Sequence, residues 1–245
     1  MSVGLQYLQT GGRRVAYRRR EGETPTLLFL PGYRSDMEGT KALALDEFAR
    51  ESGLAMLRFD YSGTGSSAGR FEDGTLASWL DEALAVLDVL TKGPVILVGS
   101  SMGGWIAFHL ALLRPERIRA LVGIAAAPDF TDWGFSEAQK AALARDGRIE
   151  EPNPYGGEPQ LFTASFWESG QRLRLLESEI GVECPVRLVH GDLDPEVPLE
   201  VAFRLMRQLR SSDVQLEILK GGGHRLSEPN EIRAILGTVR ALLEP

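Results

Sequence analysis

Short, largely apolar runs of five to seven residues alternate along the chain with longer stretches in which apolar residues recur every three or four positions. The runs at 26–30, 55–61, 95–99, 121–127, 186–190 and 214–219 predict strands. The run at 95–99 reads as a strand covered on both faces. Residues 41–50, 76–90, 102–113, 199–209 and 231–243 carry the helical spacing. Thr75 is placed to cap the second of these helices. The third leaves its strand directly and stops before Pro115. Residues 3–8 and 15–19, split by Thr10-Gly11-Gly12, predict an opening antiparallel hairpin. Strand and helix alternating in this way imply an α/β fold, a mostly parallel sheet of eight strands with helices on both faces.

Residues 129–177 break the alternation. This stretch is rich in Pro, Gly and charge, yet it holds seven of the 19 aromatic residues: Phe130, Trp133, Phe135, Tyr155, Phe162, Phe166 and Trp167. An insertion this long is usually functional. It predicts a small helical cap over the carboxyl ends of the strands, inserted between core segments 1–128 and 178–245.

Charge narrows the partners. With 27 basic and 34 acidic residues the net charge is −7, which disfavours binding to nucleic acid or anionic lipid. Arg13, Arg14, Arg18, Arg19 and Arg20 form a local exception, expected on the solvated face of the hairpin. Cys184 is the sole cysteine, so an intrachain disulfide and a Cys-rich zinc site are excluded. No run of 18 apolar residues predicts a membrane span, and the N-terminus lacks the apolar stretch of a signal peptide. A soluble, cytoplasmic protein is the expectation.

The strongest chemical signal is Gly99-Ser100-Ser101-Met102-Gly103, a G-x-S-x-G pattern with Ser101 at its centre. A strand runs into it and a helix runs out. Such a turn strains the central residue and exposes its hydroxyl, and the flanking glycines let the two elements approach. The N–H of Met102 then lies at a helix N-terminus, where a developing oxyanion can rest. A serine hydroxyl needs a base to become a nucleophile. Of the three histidines, His109 falls inside the following helix, two turns away, and His190 leaves no room for a preceding acid. His224 follows the last strand in Gly221-Gly222-Gly223-His224, in the order serine, acid, histidine. The loop after His190 offers Asp192, Asp194 and Glu196. Asp194, in mid-loop before Pro195, is favoured, and Asp129 is the other candidate. A second oxyanion donor is expected from the N–H of Tyr33, after Gly32. Arg34 beside it either binds a substrate carboxylate or faces solvent.

Gly63-Thr64-Gly65-Ser66-Ser67-Ala68, with Asp81 beyond, imitates a dinucleotide fingerprint. The stretch after it is polar rather than helical, and Asp81 falls within a predicted helix, so the match is set aside. No Walker A, H-E-x-x-H or calcium-loop pattern is present. No cofactor or metal is expected.

Taken together these residues resemble the α/β-hydrolase superfamily. Within it, Leu30-Pro31-Gly32-Tyr33, Gly39-Thr40-Lys41-Ala42-Leu43-Ala44, Arg58-Phe59-Asp60-Tyr61-Ser62-Gly63 and the Ser101 turn followed by Gly104-Trp105 look like the α/β-hydrolase domain-containing protein ten family. Cys184-Pro185-Val186-Arg187-Leu188, His190-Gly191, Asp194 and Val197-Pro198 are also similar. The run from Gly39 to Ala44 is more specific to that family than the turn around Ser101. The resemblance implies a Ser101–His224–Asp194 triad and a palmitoyl-protein thioesterase or acyl-glucuronide esterase. That family is mitochondrial, but no targeting segment is read here. The expected partner is a small ester or acyl thioester, with an S-acylated protein as an extension. Phe130, Trp133, Phe162, Phe166 and Trp167 are the candidates to line an acyl channel. A small-ester carboxylesterase and a noncatalytic ligand-binding protein are the alternatives.

Overall fold

The computed structural model describes residues 3–153, 156–157 and 159–244. An opening hairpin, β1 (Gln6–Thr10) and β2 (Arg13–Arg20), leads into β3 (Glu23–Leu30), α1 (Thr40–Ser52) and β4 (Leu54–Phe59). Next come α2 (Leu76–Leu90), β5 (Val95–Ser100), α3 (Met102–Leu113) and β6 (Ile118–Ile124). The intervening segment contains α4 (Phe130–Trp133), α5 (Glu137–Asp146), β7 (Arg148–Glu151), β8 (Gln160–Thr163) and α6 (Ala164–Arg172). The chain closes with β9 (Val186–Gly191), α7 (Leu199–Gln208), β10 (Val214–Leu219) and α8 (Pro229–Ala241).

The main sheet has eight strands in the order β1-β2-β4-β3-β5-β6-β9-β10. The β1–β2 and β2–β4 pairs are antiparallel, and every later pair is parallel. From β3 the chain steps outward to β4, then crosses back to place β5 on the other side of β3. The loops after β3 and β5 therefore diverge, and the crevice between them is where open α/β sheets bind ligands. Ser101 follows β5, and Gly32 and Tyr33 follow β3.

Each sheet face buries its own core. On one, Leu27, Phe29, Ile96 and Val98 pack with Leu45 and Phe48 of α1 and with Ile235 and Val239 of α8. On the other, Leu28, Leu30 and Leu97 pack with Trp79 of α2, Trp105 and Phe108 of α3 and Leu205 of α7. Nine of the twelve residues of α3 are buried. A helix this apolar all round belongs inside, and it fixes the direction of the turn that precedes it.

Two strands end earlier than their apolar runs suggest. At β4, Asp60 leaves the ladder to accept the N–H groups of Met37 and Ser66, both at 2.7 Å. At β6, Ala125 turns away with φ 43°, and the N–H of Ala127 donates to the carbonyl of Ser101 at 3.1 Å. Residues 125–127 are apolar because they pack over the serine turn rather than because they form strand. The glycine run at 63–68 is a set of turns folded around the Asp60 carboxylate; α2 begins only at Leu76, and Asp81 lies exposed on it.

The segment between β6 and β9, expected to be helical, departs from that expectation by including the antiparallel pair β7–β8. These four-residue strands are too short and too mixed in character to read without their partner. Asp129 ties the segment to its own exit, its carboxylate accepting the N–H groups of Leu175 at 2.8 Å and Leu176 at 2.7 Å. That use engages the alternative acid. Tyr155 lies outside the described residues.

Candidate active site

Ser101 has φ 52° and ψ −118°, a conformation non-glycine residues adopt only under constraint. Its N–H donates to the carbonyl of Ile124 at 2.9 Å, and its carbonyl accepts from Gly104 and Ala127. The turn closes because Gly103 lacks a side chain: a Cβ there would stand 2.1 Å from the carbonyl oxygen of Leu30. Strand β5, helix α3 and strand β3 thus hold the serine hydroxyl clear of the sheet.

The Nε2 of His224 lies 3.0 Å from Ser101 Oγ, and its Nδ1 lies 2.9 Å from Asp194 Oδ2. The other carboxylate oxygen of Asp194 accepts the N–H groups of Glu196 and Val197, each at 2.9 Å. Burial raises the Asp194 carboxyl, but the hydrogen bond and charge of His224 and those two N–H groups outweigh it, leaving it below the usual range. An ionised carboxylate only accepts, so Nδ1 of His224 donates to it, and Nε2 is left to accept the Ser101 hydroxyl. Asp192, the neighbouring carboxylate, instead accepts the N–H of Gly221 at 2.5 Å and braces the glycine loop. His109 is half-buried in α3, and the loss of water around it lowers its pKa; its Nε2 lies 2.9 Å from the carbonyl of Leu173, remote from this chemistry.

Two residues weighed in the sequence for other roles stand beside the site. His190, set aside as a base, lies beneath the acid with Nε2 2.9 Å from the carbonyl of Val197 and 3.5 Å from Asp194 Oδ2. Glu196 brings Oε2 to 3.9 Å from His224 Nε2. Their titratable side chains singled them out in the sequence, but only the fold gives these contacts.

Met102 is the first residue of α3, so its N–H is among the helix's donors without an intrahelical acceptor. Gly32, after β3, approaches the serine closely enough that a Cβ on it would lie 3.3 Å from that of Ser101. The N–H of Tyr33 follows directly.

The alpha/beta hydrolase fold family model matches residues 25–147. Human palmitoyl-protein thioesterase ABHD10, mitochondrial, is 39% identical over 234 residues, which cover 94% of this chain and 76% of that protein. The chain belongs to the α/β-hydrolase family. The solved structure of mouse α/β hydrolase domain-containing protein 10 superimposes with a TM-score of 0.92 at 37% identity, covering 98% of both chains. A solved structure from Agrobacterium vitis S4 has the same TM-score at 40% identity and covers 99% of both chains. This α/β-hydrolase is an enzyme, similar to ABHD10. The cytoplasmic expectation is corrected by the curated relatives, which are named as mitochondrial. A single cysteine does not distinguish these compartments.

In this hydrolase, Ser101 and His224 open into a cavity of about 620 Å³. Phe130, Trp133, Phe135 and Phe162 line it, and Arg34, Lys41, Glu196 and Arg225 are among its polar residues. Phe166 and Trp167 do not line it. Phe166 is 1% exposed, its ring 4.9 Å from that of Tyr33, and Trp167 donates its indole N–H to the carbonyl of Thr131 at 3.0 Å. Helical spacing turns α6 so that these two rings pack on Tyr33 and α4 rather than on the cavity. Tyr33 is the hub of this packing: Phe162 stacks on it at 4.9 Å, and its hydroxyl donates to the carbonyl of Leu161. Burial pushes that hydroxyl's pKa well up. Arg34 bridges two loops, donating to the carbonyl of Pro159 at 2.9 Å with its guanidinium 5.2 Å from the Phe71 ring.

Proposed function

We propose that this hydrolase cleaves carboxylic esters or acyl thioesters by acyl transfer to Ser101. Its main support is the continuous chain from Asp194 through His224 to Ser101, with links of 2.9 and 3.0 Å. In this reading His224 Nε2 takes the hydroxyl proton as Ser101 Oγ attacks the acyl carbon. Asp194 keeps the proton on Nδ1 and stabilises the imidazolium. The N–H groups of Met102 and Tyr33 receive the oxyanion. The imidazolium then protonates the departing alkoxide or thiolate, leaving an acyl-serine. Water repeats the sequence, with His224 as base, and releases the acid.

The aromatic residues of the cavity suit an acyl chain and its charged residues suit a polar leaving group. Segment 129–177 then serves as a cap on a core of 1–128 and 178–245, with Phe130, Trp133 and Phe162 as acyl contacts. The relatives named palmitoyl-protein thioesterase favour a long acyl thioester, including an S-acylated protein. The test is fluorophosphonate labelling together with turnover of p-nitrophenyl esters, acyl-CoA and S-acyl peptides. Labelling at Ser101 with turnover rising from acetyl to long acyl groups is expected. A wild-type chain that neither labels nor turns over any of these substrates would overturn the reading and leave a ligand-binding protein.

A further inference from the structure

The run from Gly39 to Ala44 has no part in the acyl-transfer chemistry, yet its third residue, Lys41, reaches the cavity wall. Lys41 occupies the first turn of α1. Its ammonium donates to the main-chain carbonyl of Arg225, the residue after His224. The loop carrying His224 is thereby held on both sides. Before the histidine, Gly221 donates to Asp192, and the carbonyl of Gly222 accepts the N–H of Leu193 at 3.0 Å. After it, Lys41 holds the backbone at Arg225, and Leu226 then turns into the sheet core with φ 44°. A left-handed leucine persists only where its surroundings over-determine it. Burial and the charge of Arg225 push the Lys41 amine down to about 8, while Glu231 on α8 opposes that fall. The half-buried ammonium finds an acceptor in the Arg225 carbonyl, on the histidine loop.

We propose that Lys41 is a positioning residue: its ammonium fixes the main chain next to His224 and so keeps the imidazole within reach of Ser101. The inference rests on the acyl-transfer reading above. A small misplacement of a base is enough to lose roughly 10- to 100-fold in rate.

Lys41→Met retains the apolar stem and removes the donors. The fluorophosphonate labelling rate of Ser101 should fall roughly 10-fold or more, and kcat for acetyl and octanoyl esters should fall alike with KM little changed. Lys41→Arg, which still carries donors, should recover part of the loss. Amide hydrogen exchange at 221–226 should speed up in Lys41→Met with the thermal midpoint retained. Lys41→Gln serves as a second variant should Lys41→Met fail to fold. Unchanged labelling and unchanged exchange in the variant would overturn the proposal. So would a loss confined to KM for one leaving group, which would make Lys41 a substrate contact. Failure of the wild type to label would instead count against acyl transfer, and the exchange measurement would still judge the loop contact.

Discussion

The Nε2 of buried His190 lies 2.9 Å from the main-chain carbonyl of Val197, across the base of the loop that carries Asp194. That contact joins the end of β9 to the far side of the loop, while Asp194 takes the N–H groups of Glu196 and Val197 from within it. The acid is therefore held by a small buried network. His190→Ala should cost about 1–3 kcal/mol of stability from the unpaired carbonyl, plus a further loss from the cavity. It should also reduce kcat, though less than loss of Asp194 does. Denaturant unfolding and steady-state kinetics on the same preparation read both effects.

Ser101→Ala should remove turnover by roughly 10³-fold or more and abolish fluorophosphonate labelling. The methyl fits the turn, so the thermal midpoint should hold. Near-normal turnover in a folded variant would remove the serine from the chemistry.

The two loop carboxylates make different contacts and should respond differently. Asp194→Asn loses the charge that sets the imidazole tautomer and should lower kcat by up to about 10⁴-fold. Asp192→Asn keeps an acceptor for the Gly221 N–H and should cost far less. A ratio of kcat values in the opposite sense would show that the wrong acid has been chosen.

Trp133 and Phe166 separate substrate contact from packing. Trp133 lines the cavity, and Phe166 is buried against Tyr33, Trp79 and Phe130. Phe166→Ala should cost about 3–5 kcal/mol and lower acetyl and octanoyl turnover together. Trp133→Ala should lower the octanoyl-to-acetyl ratio of kcat/KM with a smaller change in melting. An unchanged ratio would place the acyl chain elsewhere.

Glu82 gives a pH test of stability. It is fully buried in α2 and accepts the Ser62 N–H at 2.8 Å and hydroxyl at 2.6 Å. Burial raises its carboxyl above the usual range, against the lowering effect of Ser62 and Arg13. A carboxyl raised in the folded state contributes its stability below the unfolded value, and this is lost as pH rises through the folded value. Glu82→Gln can keep both contacts with Ser62 and has no proton to lose. Its melting temperature relative to wild type should therefore improve between pH 4 and pH 8. A variant melting temperature that falls relative to wild type over that range would reverse the assigned direction.

The α2 boundaries, its Thr75 cap and the strand-to-helix turn at Ser101 were legible in the sequence because each depends on neighbours within a few positions. The meeting of Ser101, Asp194 and His224 was legible because chain order in an alternating α/β fold dictates which loops share the crevice. Tertiary structure decided what lay beyond that range. Ala125 to Ala127 read as strand, but they fold over Ser101 because Ala125 turns and Ala127 donates back to the serine carbonyl. Strands β7 and β8 form only against each other, across a loop no local pattern describes. Phe166 and Trp167 have the same aromatic character as Trp133, and only the rotation of α6 on Tyr33 and α4 turns them away from the cavity. Lys41 and Arg225 lie 184 positions apart, so their contact exists only once α1 and the histidine loop have packed on the sheet. Local pattern fixes which residue types can do chemistry; long-range packing decides which of them face the same space.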